Sequence, residues 1–361
     1  MSIEADLKKD GIIVIEPLDK SSVITIAKNV SNKIYTAFSS FGFTYEGLFD
    51  KLSKVPMYVA NIPKGMSEAS YFYKNSSIYF RDGMGLEDIE KYSVHEFIHN
   101  IQEIKDEKGN LVRLGLCKFN GSKITGMALN EASVQILSSN ALNSTFENVE
   151  YYGLTFSTIS PNVYPLICNL VTQMAYVTGE NVLFDSTFNS NDHFKNKFIA
   201  LCGQKNYNTI VSNLDKLLFT EENIIILENK LQSEDLNLYK SSKIRDKIST
   251  QKLKITKLYF NTQELIMSSY FDTVYSNLLT TVDIENFRKN LYGFQELIGT
   301  SPNYYFFDNF YISMMEKLDF KYDVITDNTY LIPKKENKLI RILKTIRDLI
   351  SLKSFEKDNG H

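Results

Sequence analysis

The sequence has no Trp, only 4 His and 3 Cys, and no long apolar run. The cysteines, Cys117, Cys168 and Cys202, are far apart and odd in number, with no CxxC or Cys/His ligand spacing. A disulfide framework and a cysteine-based zinc module are therefore excluded, and three reduced, mostly buried thiols are expected. A membrane-spanning helix needs about 20 apolar residues, and no stretch approaches that length. The opening residues, MSIEADLKKDGIIVIEPLDK, lack the apolar segment and small-residue cleavage site of a secretory signal. A cytoplasmic protein is the expectation, with export without a leader as the alternative. An excess of one charge is also missing. With 40 Lys+Arg against 43 Asp+Glu the net charge is −3, so no global field points to nucleic acid. No phosphate loop, dinucleotide fingerprint, nucleophile elbow or EF-hand loop is found.

What is present is an ordinary globular balance, 43% hydrophobic and 23% charged, over 361 residues. That length suits one large domain or two ordinary ones. The 22 Tyr and 24 Phe take over the packing role of the missing Trp. Frequent Asn, Lys, Ile and Tyr fit an AT-rich, bacterial genome. Residues 11–16, GIIVIE, read as a short strand. Residues 21–38 and 45–52 carry helical spacing. Three strand-like runs follow, beginning at 56, 69 and 76, the last ending at the Asp82-Gly83 turn signal. A helix over 86–103 has acids in its first turns and apolar residues around much of its circumference, so it should be buried. A strand over 111–119 and a helix over 126–141 come next. Beyond 156 the pattern is mainly helical, over 161–178, 193–203, 206–218, 221–232, 260–280, 284–298, 303–318 and 336–353. The charged stretch 240–257 reads as an exposed linker or a solvated helix.

The chemistry concentrates at His95-Glu96-Phe97-Ile98-His99. Residues four apart share a helix face, so both imidazoles can reach one ion. Zinc takes imidazole nitrogen in tetrahedral geometry, and catalytic sites combine three protein ligands with water. Glu96, directly after the first imidazole, is placed to act as general base. With so few histidines, a chance HExxH is on the order of a few in a thousand. The alternative is two histidines satisfied by hydrogen bonds in a buried helix, at considerable desolvation cost. The third ligand is expected to be Glu131, a carboxylate among apolar residues in GMALNEASVQIL, where a metal would relieve the burial penalty. His193 is the alternative, and Asp192 a further one.

The HEFIH helix, followed some thirty residues later by Asn130-Glu131-Ala132 on a second helix, resembles the gluzincin group of zinc metallopeptidases. Thermolysin-like enzymes and clostridial neurotoxin light chains share this scheme. The resemblance spans residues 71–141. It implies an α+β fold with a zincin-like N-terminal domain over 1–236, built from a mixed sheet and the active-site helix. Its edge strand, here 76–81, would bind an extended substrate. A mainly helical region over 237–361 would follow. One bound Zn2+ and a peptide or protein substrate are also implied. Thermolysin-like enzymes have an acid one turn after the glutamate ligand, where this chain has Gln135, whose amide can still accept an imidazole N–H. Asn100, Gln102, Asn130 and Ser133 are further candidates to support the ligands. The group also supplies an oxyanion donor. No Tyr lies between His99 and Glu131, so Tyr164, Tyr151, Tyr152 and His193 are the candidates.

The aromatic cluster from Tyr304 to Tyr311 has the spacing of core. The end of the chain, KKENKLIRILKTIRDLISLKSFEK, reads as a basic amphipathic helix. Packing on its own domain is expected, with an anionic membrane surface or a partner as alternatives. Two classes of function follow: a zinc peptidase, or a zinc-holding regulatory or structural protein without peptidase activity. A bacterial effector or toxin acting at a membrane or on a host protein is a third reading.

Overall fold

The computed structural model describes residues 3–9, 11–63, 68–120, 123–233 and 238–326, and these form a mixed α+β structure with a mainly helical second half. The chain begins α1 (Ile3–Lys9), β1 (Ile13–Pro17), α2 (Lys20–Phe38), α3 (Tyr45–Leu52), β2 (Met57–Asn61), β3 (Ala69–Phe72) and β4 (Ser77–Arg81). The four strands make one sheet in the order β1-β2-β4-β3. β2 and β4 run parallel, while β1 and β3 are antiparallel to their neighbours. Strand β4 is buried on both faces from Ser77 to Phe80, as an inner strand should be. The strand expected at the edge is thus interior, and the edge on this side is β3. A tight turn through Ser76 (φ 50) folds β3 back antiparallel onto the side of β4 that β2 leaves open.

Helix α2 starts at Asp19, whose carboxylate accepts the Ser21 and Ser22 N–H groups at 2.9 and 3.0 Å. It buries Ile26, Ala27, Val30, Ile34 and Phe38 at helical spacing. Burying each of the larger ones, Ile26, Val30, Ile34 and Phe38, contributes about 1.5–3 kcal/mol. Helix α4 (Leu86–Gln102) begins at extended Gly85 with Glu87 and Asp88 in its first turn. It packs against α2 and β3.

Next, β5 (Glu103–Lys105), β6 (Leu111–Leu114), β7 (Cys117–Asn120) and β8 (Lys123–Thr125) form an antiparallel meander. The single strand expected over 111–119 is broken in two. Gly115 adopts φ +57 and reverses the chain, so that Leu114 pairs with Cys117. Helix α5 (Met127–Ala141) follows and packs against α4, buried at most of its positions. The remaining elements are β9 (Glu147–Tyr151), β10 (Leu154–Thr158), α6 (Pro165–Thr178), α7 (Glu180–Phe188), α8 (His193–Cys202), α9 (Gln204–Ser233), α10 (Leu238–Ser276), α11 (Thr281–Gln295) and α12 (Phe306–Thr326). Helix α9 joins the two helices expected over 206–218 and 221–232. Helix α10 carries the charged stretch 240–257 as a helix, burying Ile244, Ile248 and Ile255 while its lysines remain outside the core. The aromatic run is mixed, with Phe307 buried and Tyr305 exposed.

The chain divides into two compact units, one containing the described residues up to 277 together with 290–307, the other 278–289 with 308–326. In the smaller unit Arg288 binds Asp319 of α12 at 2.5 Å. The boundary expected near Asn237 and the basic helix expected over 336–353 lie outside the described residues. Among the described residues no helix is long and apolar enough to cross a membrane.

Candidate metal centre

Helices α4 and α5 bring three donors to one point in the larger unit. The Nε2 atoms of His95 and His99 lie 3.1 Å apart. Each faces a Glu131 oxygen at 3.5 Å, His95 to Oε2 and His99 to Oε1. Among the described residues this is the only group of three or more His, Cys, Asp or Glu side chains able to hold a metal ion. Donors about 2.0–2.2 Å from a tetrahedral ion are separated by roughly 3.3–3.6 Å. The observed separations are close to that. Two imidazoles and a carboxylate suit zinc, iron, copper or nickel better than magnesium or calcium, which favour all-oxygen sites. The His99 side chain is 6% exposed and that of Glu131 23%, so the open side of the centre lies toward the carboxylate.

The hydrogen bonds fix how one ligand presents itself. His95 Nδ1 lies 2.9 Å from Gln135 Oε1, while the Gln135 amide nitrogen donates to Ser139 Oγ at 3.4 Å. An amide oxygen only accepts, so His95 holds its proton on Nδ1 and turns the Nε2 lone pair to the centre. This is the contact anticipated for Gln135. His99 differs, because its buried Nδ1 has no hydrogen-bond partner among the described residues, leaving Nε2 as its one engaged nitrogen. Burial alone would push the His95 pKa down, but Glu131 and Glu96 raise it above the ordinary histidine value. Burial would likewise raise Glu131, yet the two facing imidazoles hold it well below the usual carboxylate range. The carboxylate is therefore ionised and attracts positive charge to this point, whether a proton or a cation.

Glu96 lies beside the centre, 7% exposed, and its Oε2 accepts the Tyr71 backbone N–H of β3 at 2.6 Å. Burial raises its pKa, against the lowering effect of His95 and His99. Tyr164 caps α6 in the left-handed region (φ 50, ψ 42), a conformation that costs a non-glycine residue about 1–3 kcal/mol and is concentrated at functional sites. Its hydroxyl is raised well above the ordinary value by burial and then by the carboxylates of Glu131, Glu96 and Glu222. His193 does not join the centre. His193 opens α8 with a 71% exposed side chain paired to Asp185 at 3.0 Å. Asp192 is engaged by Arg113 and Lys118 at 3.0 and 2.7 Å. The Tyr151 and Tyr152 rings lie against each other at an angle of 47°, Tyr151 donates its hydroxyl to that of Tyr152 at 3.3 Å, and the nearby carboxylates of Glu221 and Glu228 add to burial in raising both hydroxyls.

The four polar residues expected to support the ligands hold the helices rather than the imidazoles. Asn100 donates to the Tyr71 hydroxyl at 3.2 Å, and Ser133 to the Leu129 carbonyl at 2.7 Å. Gln102 and Asn130 pair amide to amide across α4 and α5 at 3.4 Å. Asn130 Oδ1 also accepts the Leu116 N–H at 3.0 Å. Gly115 sits against this pair, donating its N–H to Ser190 Oγ, which in turn donates to the Gln102 carbonyl at 2.6 Å. Nothing in the local sequence marks Tyr71 or Gly115, since their partners lie 25 and 75 residues away. Comparison with protein-family models, curated proteins and solved structures finds no match.

Proposed function

We propose that the chain is a zinc-dependent metallopeptidase of the gluzincin type, with His95, His99 and Glu131 as ligands and a zincin-like arrangement of sheet and helix. The observation that carries this reading is the convergence of those three donors beside a buried Glu96. Zinc, when bound, supplies a Lewis acid and lowers the pKa of water in its open position. Glu96 would serve as the general base and acid, its carboxylate taking up a proton during attack by water and releasing it to the leaving amine. The Tyr71 N–H at 2.6 Å orients the Glu96 carboxylate for this role. Tyr164 donates a hydrogen bond to the oxyanion of the attacked carbonyl. The substrate is a peptide or protein, lying extended near the edge strand β3. A second reading is a zinc-holding regulatory or structural protein. It draws on the same Tyr71 contact, which gives Glu96 a purely structural partner.

Metal analysis and a peptide-cleavage assay separate the two. The wild type should carry about one zinc per chain, and chelation should abolish cleavage until zinc is restored. Glu96→Gln should keep the metal and lose about 10²–10⁴ in rate. A wild type without metal, or a chelated protein that still cleaves, would refute the peptidase. Identical behaviour of wild type and Glu96→Gln would leave the structural reading.

A further inference from the structure

The helix that carries Glu131 lacks a cap of its own. Its N-cap residue, Gly126, is left-handed (φ 79, ψ 23) and has no side chain to bind the free N–H groups of the first turn. Helix N-termini are ordinarily closed by a Ser, Thr, Asp or Asn in that position. Here the acceptor comes from α9, almost ninety residues later. Asp215 Oδ1 accepts the Ala128 N–H at 3.0 Å, and Oδ2 accepts the Gly126 N–H at 3.4 Å. The Gly126 turn is closely fitted as well, since a Cβ there would lie 3.2 Å from the Leu116 carbonyl oxygen. Glu131 follows three residues after Ala128, so a rotation or fraying of this first turn moves the third ligand directly.

We infer that Asp215 is the positioning residue for the third ligand, holding α5 in register so that the Glu131 carboxylate meets the two imidazoles. This rests on the metal site proposed above. Asp215 touches neither ligand nor metal and acts through the helix backbone. Its carboxylate also complements the positive end of the α5 dipole. Coupling of this kind is reciprocal, so metal bound at Glu131 should in turn hold the Asp215-capped amides closed.

The test compares zinc affinity, measured by competition with a chromophoric chelator, with hydrogen exchange along the chain. Four full-length proteins are used: wild type, Asp215→Ala, Asp215→Asn and Asp19→Ala. The last removes an exposed side-chain cap at the start of α2, whose hydrogen bonds go to Ser21 and Ser22. Asp215→Ala should bind zinc about tenfold more weakly than wild type, in the range found for residues that orient ligands. Asp215→Asn keeps one acceptor oxygen and should fall between. Asp19→Ala should bind like wild type. In the metal-free proteins, exchange at 126–131 should quicken in Asp215→Ala while α4 is unchanged. Added zinc should slow exchange at 126–131 in the wild type. Equal zinc affinity in wild type and both Asp215 variants overturns the inference while leaving the metal site standing. So does equal weakening by Asp19→Ala, which would show a general stability effect. A wild type that binds no zinc overturns the metal site and the inference together. Should Asp215→Ala fail to fold, Asp215→Asn decides alone by the same comparison.

Discussion

Replacing Gly115 by alanine tests whether the two ligand helices are held together where the structure places their clamp. An alanine Cβ would lie 2.1 Å from Asn130 Oδ1 and 2.5 Å from Gln102 Nε2. Neither approach is tolerable, so both amides would have to swing away. The Leu116 N–H would then lose Asn130 Oδ1, its acceptor at 3.0 Å. A buried donor left without a partner costs about 1–3 kcal/mol. The left-handed backbone (φ +57) adds about 1–2 kcal/mol for any residue with a Cβ. The expected loss is roughly 2–5 kcal/mol. Gly109→Ala supplies the control. Gly109 also has positive φ (+78), but nothing lies within 4 Å of its added Cβ, so only the backbone contribution of about 1–2 kcal/mol remains. Equilibrium urea unfolding of both variants should put Gly115→Ala about 1–3 kcal/mol below Gly109→Ala with similar m values. Equal losses would refute the clamp, because they would leave backbone conformation as the whole effect.

The other predictions concern buried charge and ligand support. Glu221 is 6% exposed, its Oε2 has no hydrogen-bond partner among the described residues, and burial pushes its pKa up to about 8 from 4.5. A carboxyl raised on folding contributes stability below its unfolded pKa and loses it as pH rises through the folded value. Stability should therefore fall between about pH 4.5 and 8, by at most a few kcal/mol at about 1.4 kcal/mol per unit. Glu221→Gln should flatten that slope in unfolding measured across pH, and an unchanged slope would exclude Glu221 as its source. Gln135→Leu removes the acceptor of the His95 Nδ1 proton and should weaken zinc binding about tenfold, whereas Gln135→Glu, a stronger acceptor, should tighten it. Equal affinities in the two variants would show that the contact does not orient the ligand.

The centre was legible in part before any coordinates. Four-residue spacing puts His95 and His99 on one helical face whatever surrounds the helix, and Glu131 stands out as an acid within an apolar helical repeat. Gln135 could be matched to an imidazole only through the family resemblance, in which the residue one turn beyond the glutamate ligand orients a histidine. The supporting roles of Asn100, Gln102, Asn130 and Ser133 were not legible. Each is polar and close in sequence to a ligand, but its partner is chosen by packing. The same holds for His193, which the chain turns outward to Asp185.

By itself, then, the sequence determined what depends on local periodicity. That includes α2, α4 and α5, the facing imidazoles and the absence of any membrane-length apolar run among the described residues, whereas the charged stretch 240–257 suited a linker as well as a helix. Tertiary structure alone decided what depends on contacts between distant residues. It put β3 rather than β4 at the sheet edge, turned the Tyr71 N–H to Glu96, and wedged Gly115 between Gln102 and Asn130. It also capped the Glu131 helix with Asp215, on a helix some ninety residues downstream. Periodicity reports which face of an element is buried. It carries no record of which neighbour covers that face, and at the start of α5 that neighbour is Asp215.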